Sequence, residues 1–228
     1  ASELDYKMGG LFMKKKKLAS AFLSLTLAAG VLAGCSGSGS SEKSSGDGDT
    51  IKIGVNLELS GGVASYGQSI AEGLELATAE INKEGIDGKK IKLIKVDNKS
   101  EASEATSGAI KLTSQDQVAA IVGAATSTNS IAQVQIAQDN KVPVSSPPGT
   151  SPDITFSKDK LNDYIFRTSF IDPFQGTVAA NFASKEIKAK SAAIYIDSSS
   201  DYSKGLAAAF KEQFEKNGGK IVAEEAYI

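Results

Sequence analysis

From Thr50 to Ile228, short β-branched segments alternate with segments of helical period, and few folds accept that order. Ile51 to Glu58 (IKIGVNLE) predicts a strand, and Gly67 to Lys83 a helix carrying Ile70, Leu74, Ala77 and Ile81 on one face. Gly85 to Gly88 breaks that helix, and Ile91 to Val96 reads as the second strand. Ala102 to Ser114 is expected as a helix, Val118 to Val122 as a short buried strand, and Ser130 to Asp139 as a helix. Val142-Pro143-Val144 and Tyr164 to Arg167 follow as strands. Beyond them come a helix over Phe174 to Ile187, a strand over Ala192 to Ile196, a helix over Lys204 to Lys216 and a strand over Ile221 to Tyr227. Alternation of this kind implies right-handed crossovers and a parallel sheet covered on both faces. The expected fold is α/β, a doubly wound lobe followed by the start of a second, with no internal sequence repeat.

The residues before Thr50 read as an address. Lys14 to Lys17 form a positive region behind Met13, Leu18 to Leu32 an uncharged apolar stretch, and Ala33-Gly34 precede Cys35. That stretch is shorter than the roughly 20 residues needed to cross a bilayer. Leu32-Ala33-Gly34-Cys35 resembles the lipobox of bacterial lipoproteins, which implies a signal peptide over 13–34 and a lipid on the Cys35 thiol. Ser36 to Asp49 are Ser, Gly and charged residues, suited to a flexible tether. Ala1 to Phe12 lie ahead of the better start at Met13 and read as vector-derived or upstream residues.

Composition narrows the chemistry. With 25 Lys and Arg against 27 Asp and Glu, the chain has no broad basic character to attract nucleic acid. Histidine is absent and Cys35 is the single cysteine, which removes His general bases, Cys–His nucleophiles, zinc clusters and intrachain disulfides. No phosphate-binding glycine motif is present either. A serine hydrolase would need a Gly-x-Ser-x-Gly elbow and a base; the elbow is missing and histidine is absent. Binding without a cofactor is the expectation, rather than catalysis.

In open parallel sheets the ligand lies beyond the carboxyl ends of the strands. Three segments follow strands there: Leu59 to Gly67, Gly123 to Ser130 and Ser145 to Ser151, all rich in hydroxyls and glycine. Thr126 to Ser130 run into a helix, where hydroxyls and backbone N–H groups can either cap it or bind a carboxylate. Pro147 and Pro148 stiffen the last segment, and Pro148 can offer only a carbonyl acceptor. An acceptor-rich loop facing such donors suits a zwitterion. Tyr66 offers a flat apolar surface at the mouth.

At these positions the chain is similar to the leucine/isoleucine/valine-binding proteins, periplasmic-binding-protein type I receptors of bacterial ABC importers. The likeness rests on Leu59-Ser60-Gly61 with Tyr66-Gly67 and Gly73, then Asp97, Ile121-Val122-Gly123 with Ser127, and Pro147 with Thr150-Ser151-Pro152. It continues in Phe166-Arg167-Thr168, Gln175-Gly176 and Tyr202 with Gly205. The resemblance implies that Ser127 and Thr150 bind an amino acid's carboxylate, with Thr150 also near its ammonium and the Pro148 carbonyl accepting from that ammonium. It implies that Tyr66 and Tyr202 close over the ligand from opposite lobes, while Ala125 and Thr126 line the side-chain pocket. Asp172 is expected at the crossing between lobes, as a hinge or helix-capping carboxylate before a direct ligand contact. The implied lobes are 50–170 and a partial 171–228. Such proteins continue well past this length, so the chain reads as a fragment whose half-site binds weakly or not at all. A sensor lobe on the same fold is the alternative to delivery to a membrane permease.

Overall fold

The computed structural model describes residues 50–228; the expected signal peptide, Cys35 and the tether lie outside the described residues. Four of the five strands of the larger sheet come early: β1 (Thr50–Leu57), β2 (Lys90–Asp97), β3 (Ala120–Gly123) and β4 (Val144–Ser146). With β7 (Ile165–Arg167) they form a parallel sheet in the order β2-β1-β3-β4-β7. A small antiparallel hairpin, β5 (Phe156–Ser157) and β6 (Lys160–Leu161), interrupts the run between β4 and β7. The second sheet is a parallel pair, β8 (Ser191–Asp197) and β9 (Lys220–Tyr227).

Six helices join these strands: α1 (Ala64–Glu84), α2 (Ala102–Ile110), α3 (Ser127–Ala132), α4 (Val134–Asn140), α5 (Asp172–Lys185) and α6 (Asp201–Lys216). On α1, Ile70 and Leu74 pack against a cluster of Val55, Leu57, Ala71 and Ala125, as the 3.6 period requires; Ile81 stays exposed. Leu112, Val118, Ile121, Val134, Ala137, Val144, Ile154 and Ile165 make the main core. Full burial of such side chains contributes about 1.5–3 kcal/mol each.

Several element boundaries differ from the expected ones. The segment expected as one helix over Ser130 to Asp139 is two, separated at Gln133, whose buried amide donates to the Gly123 carbonyl at 2.7 Å. The helix expected to Ser114 turns into a π-type turn over Lys111–Gln115. The fourth strand begins at Val144, not Val142, because Pro143 has no N–H and gives the ladder only its carbonyl, to Ile121 N at 2.8 Å. Ser145 and Ser146 are therefore strand residues. The β5–β6 hairpin is too short to leave a periodic signal.

Candidate functional site

The carboxyl ends of β1, β3 and β4 lie side by side, and β1 sits between β2 and β3, so consecutive connections leave it in opposite directions. That is where an open parallel sheet leaves a crevice. The loop after β1 is fixed by Asp97, whose carboxylate accepts from Leu59 N (3.0 Å), Ser60 N (3.0 Å), Ser60 Oγ (2.6 Å) and Lys99 N (2.8 Å). Burial would raise the Asp97 carboxyl, but those donors outweigh it and hold it below the usual 3.8. Gly67, in the first turns of α1, is required by space: a Cβ there would lie 2.1 Å from the Glu58 carbonyl oxygen.

After β3 the chain turns at Gly123, with φ at 128° and a hypothetical Cβ only 2.0 Å from the Asn56 carbonyl. Thr126 is the N-cap of α3, its hydroxyl accepting from Asn129 N at 3.3 Å and donating to Glu58 Oε1 at 2.9 Å. Ala125 N (2.9 Å), Thr126 N (3.0 Å) and Asn129 Nδ2 (2.9 Å) also donate to Glu58. Of the backbone donors expected for a ligand over Thr126 to Ser130, that of Thr126 is thus taken by the protein's own carboxylate, as is the neighbouring Ala125 N–H. The N–H groups of Ser127 and Thr128 are the donors left in that turn. Ser127 Oγ accepts from Ser151 N at 3.2 Å, and Thr128 Oγ1 from Asp201 N at 3.0 Å, so each hydroxyl keeps its own proton to donate.

The loop after β4 is held by its carbonyls. Thr168 Oγ1 donates to Pro147 O (3.0 Å), Ser169 Oγ to Gly149 O (2.9 Å), Asp172 N to Thr150 O (3.0 Å), and Arg167 Nη1 to Ser151 O (2.8 Å). Arg167 Nη2 reaches Pro152 O (3.3 Å) and Thr155 Oγ1 (2.6 Å). Among the described residues, the Pro148 carbonyl is the one between 147 and 152 that accepts from no donor of the chain. Thr150 is buried, and its N–H donates to no group of the chain.

Asp172 is 0% exposed, yet neither carboxylate oxygen has a hydrogen-bond donor of good geometry. The helix-capping role expected of it is not what the side chain does: Asp172 is the first residue of α5, and Ile171 in the cap position bonds no helix N–H through its side chain. Burial pushes its carboxyl up; the nearby Thr150 hydroxyl and Arg167 guanidinium pull it part of the way back. Gly205 of α6 passes so close that a Cβ would lie 2.8 Å from Asp172 Oδ2. An uncompensated buried carboxylate is costly unless a proton or a cationic partner joins it.

Tyr66 is 66% exposed and, with Ser65, Ser69, Ile70, Pro147 and Pro148, lines an open, mainly apolar cleft of about 510 Å³. Tyr202 stands at the start of α6, its hydroxyl accepting from Gln175 Nε2 at 3.1 Å. The cleft brings Tyr66 to Pro148, while Ala125 and Thr126 do not line it; Ala125 is buried and packs against the Val55–Leu57 cluster. Glu58 was not among the expected site residues, although a charged residue directly after the buried half of a strand is a signal in itself.

Comparison with known proteins bears on the whole described region. A family described as periplasmic binding protein matches residues 50–228. The Leu/Ile/Val-binding protein BraC3 of Rhizobium johnstonii is 36% identical over 177 residues, covering 77% of this chain and 47% of that protein. The chain spans about half the length of the curated relatives it matches. The branched-chain amino acid transporter substrate binding protein LivJ from Streptococcus pneumoniae, solved with isoleucine, is 43% identical with a TM-score of 0.72, over 78% of this chain and 50% of that one. A solute binding protein from Rhodopseudomonas palustris in complex with 3,4-dihydroxybenzoic acid is 29% identical with a TM-score of 0.69, over 78% and 47%.

Proposed function

Since the chain belongs to the periplasmic binding protein family, we propose that it supplies the front half of an extracytoplasmic receptor that captures an amino acid, branched aliphatic ones first, for an ABC importer. The observation that carries this reading is the sorting of unclaimed groups at the crevice. Ser127 and Thr128 retain donors for a carboxylate, while the Pro148 carbonyl is an acceptor suited to an ammonium and the buried Asp172 carboxylate lies behind Thr150. Thr150, between them in the chain, offers both an N–H and a hydroxyl. A free amino acid needs both halves, whereas an aromatic acid such as the Rhodopseudomonas ligand needs only the donors. The apolar cleft beside Tyr66, Ile70 and Pro148 suits an aliphatic side chain, and Tyr202 would close on it from α6.

In this reading 50–170 is the first ligand-binding lobe and 171–228 part of the second. Residues 13–34 are its signal peptide, Cys35 carries the lipid that anchors it to the outer face of the cell membrane, and 36–49 are the tether. Two or more acyl chains anchor stably where one does not. Cys35→Ser is expected to move the protein from the membrane fraction to the soluble one.

Amide chemical-shift mapping with millimolar L-leucine and, separately, 3,4-dihydroxybenzoate tests the ligand class even at low affinity. Leucine is expected to shift Ser127, Thr128 and Thr150, with Ser127→Ala and Asp172→Asn each weakening it by roughly tenfold. Shifts with the benzoate alone would replace the amino acid with a carboxylate lacking an ammonium. Absence of shifts with both would sink the site.

A further inference from the structure

We infer that Glu58 is a positioning residue for the ligand's carboxylate site, an inference that rests on the amino-acid reading of that site. Its side chain is 0% exposed, and its four donors are Ala125 N, Thr126 N, Thr126 Oγ1 and Asn129 Nδ2, at 2.9–3.0 Å. All four come from the one turn that contains Ser127 and Thr128, on both sides of those two residues. Here every bond fixes the same five residues, and it selects which N–H groups of the turn are consumed and which stay free. With Ala125 and Thr126 turned inward to Glu58, Ser127 and Thr128 keep theirs.

Glu58 itself is held from behind. Gly67 of α1 crosses its backbone so closely that a Cβ would lie 2.1 Å from the Glu58 carbonyl oxygen. Asn129 Nδ2 also reaches Asn98 Oδ1 at 3.3 Å, and Asn98 adjoins Asp97, the carboxylate that fixes the loop after β1. Glu58 and Asn98 thus share Asn129 as a buried donor, and Asn98 follows Asp97 directly in the chain.

The test is Glu58→Gln in the full chain, read by titration with L-leucine and with L-leucinamide, which lacks the carboxylate. Gln turns an NH₂ toward N–H groups and removes a negative charge from the turn; the lost charge alone would favour a bound carboxylate, so a weaker leucine complex reports lost positioning. Leucine affinity is expected to fall roughly tenfold and leucinamide affinity to change much less. In combination with Ser127→Ala, the double variant should lose little more than Ser127→Ala alone. An equal loss for both ligands, or none for either in a folded variant, overturns the inference. Should Glu58→Gln fail to fold, Thr126→Val decides, since it removes one of the four donors: a several-fold loss for leucine supports the role and unchanged binding refutes it. If the unaltered chain binds no leucine, the amino-acid reading falls on its own. The amide resonances of Ser127 and Thr128 in Glu58→Gln then decide the positioning, displaced if it holds and unmoved if it does not.

Discussion

The first and second sheets contain the same local unit and differ in what surrounds it. β1-α1-β2 and β8-α6-β9 are both strand–helix–strand crossovers with a parallel pair at the end. In the first, β1 has neighbours on both edges, β2 and β3, and its second half from Gly54 to Leu57 is buried. In the second, β8 pairs with β9 alone, and Tyr195 on β8 and Val222 and Tyr227 on β9 are exposed. Phe174, Val178 and Phe182 on α5 form an exposed apolar stripe four residues apart, while Phe214 on α6 is fully buried. A crossover unit supplies its own hydrogen bonds, but the burial that stabilises it comes from the next strands and helices.

That contrast can be broken most sharply by native-state hydrogen exchange. Amides of β1 and β3 should exchange only through global unfolding, and those of β9 through openings about 5 kcal/mol less costly, a gap on the scale of a domain's whole stability. Equal protection in both sheets would abolish the distinction. Next in size, Ile121→Ala should destabilise by about 3 kcal/mol in a denaturant titration, because it empties a site 1% exposed in the main core. The matching Phe182→Ala, at a residue 57% exposed, should stay within about 0.5 kcal/mol. A comparable cost at both positions would mean that the α5 stripe is covered in solution. Gly67→Ala should cost about 2 kcal/mol, as α1 must withdraw from the Glu58 carbonyl; an unchanged midpoint would show that the helix shifts freely.

The smallest effect separates two carboxylates by sign. Asp97 at the end of β2 has a lowered pKa, so it contributes stability that is present above the ordinary 3.8 and lost as pH falls through its lower folded value. Asp172 at the crossing has a raised pKa, so the folded state binds its proton more tightly. Its contribution therefore favours folding at low pH and declines as pH rises from 3.8 through the folded value. Unfolding free energies measured from pH 3 to pH 7 should lose the low-pH slope in Asp97→Asn and the higher-pH decline in Asp172→Asn. Slopes of the same sign would refute the assignment of one of them.

The loops of the candidate site could be placed without coordinates because they follow strands, and strand–helix alternation fixes which loops share an edge. Ser127, Pro148, Thr150 and the Tyr66 loop were placed on that edge by position along the chain alone. The roles of their polar atoms could not be read that way. Thr126 looked like a pocket residue and is an N-cap bonded to Glu58; Ser146 looked like a loop hydroxyl and is a strand residue bonded to Ser130 at 2.8 Å. Asp172 read as a hinge or helix-capping carboxylate, and its buried side chain caps no helix N–H.

Sequence by itself determined most of the order of strands and helices, the parallel α/β class and which loops share one edge of the sheet. Those follow from hydrophobic period and turn residues, which act over a few residues of chain. Tertiary structure decided which hydrogen-bonding groups the protein uses up and which it leaves free. Glu58 and Thr126 are 68 residues apart and meet at 2.9 Å, and that pairing changes what the turn can offer a ligand. A polar atom's availability depends on whatever the fold brings against it, and no local pattern records that partner.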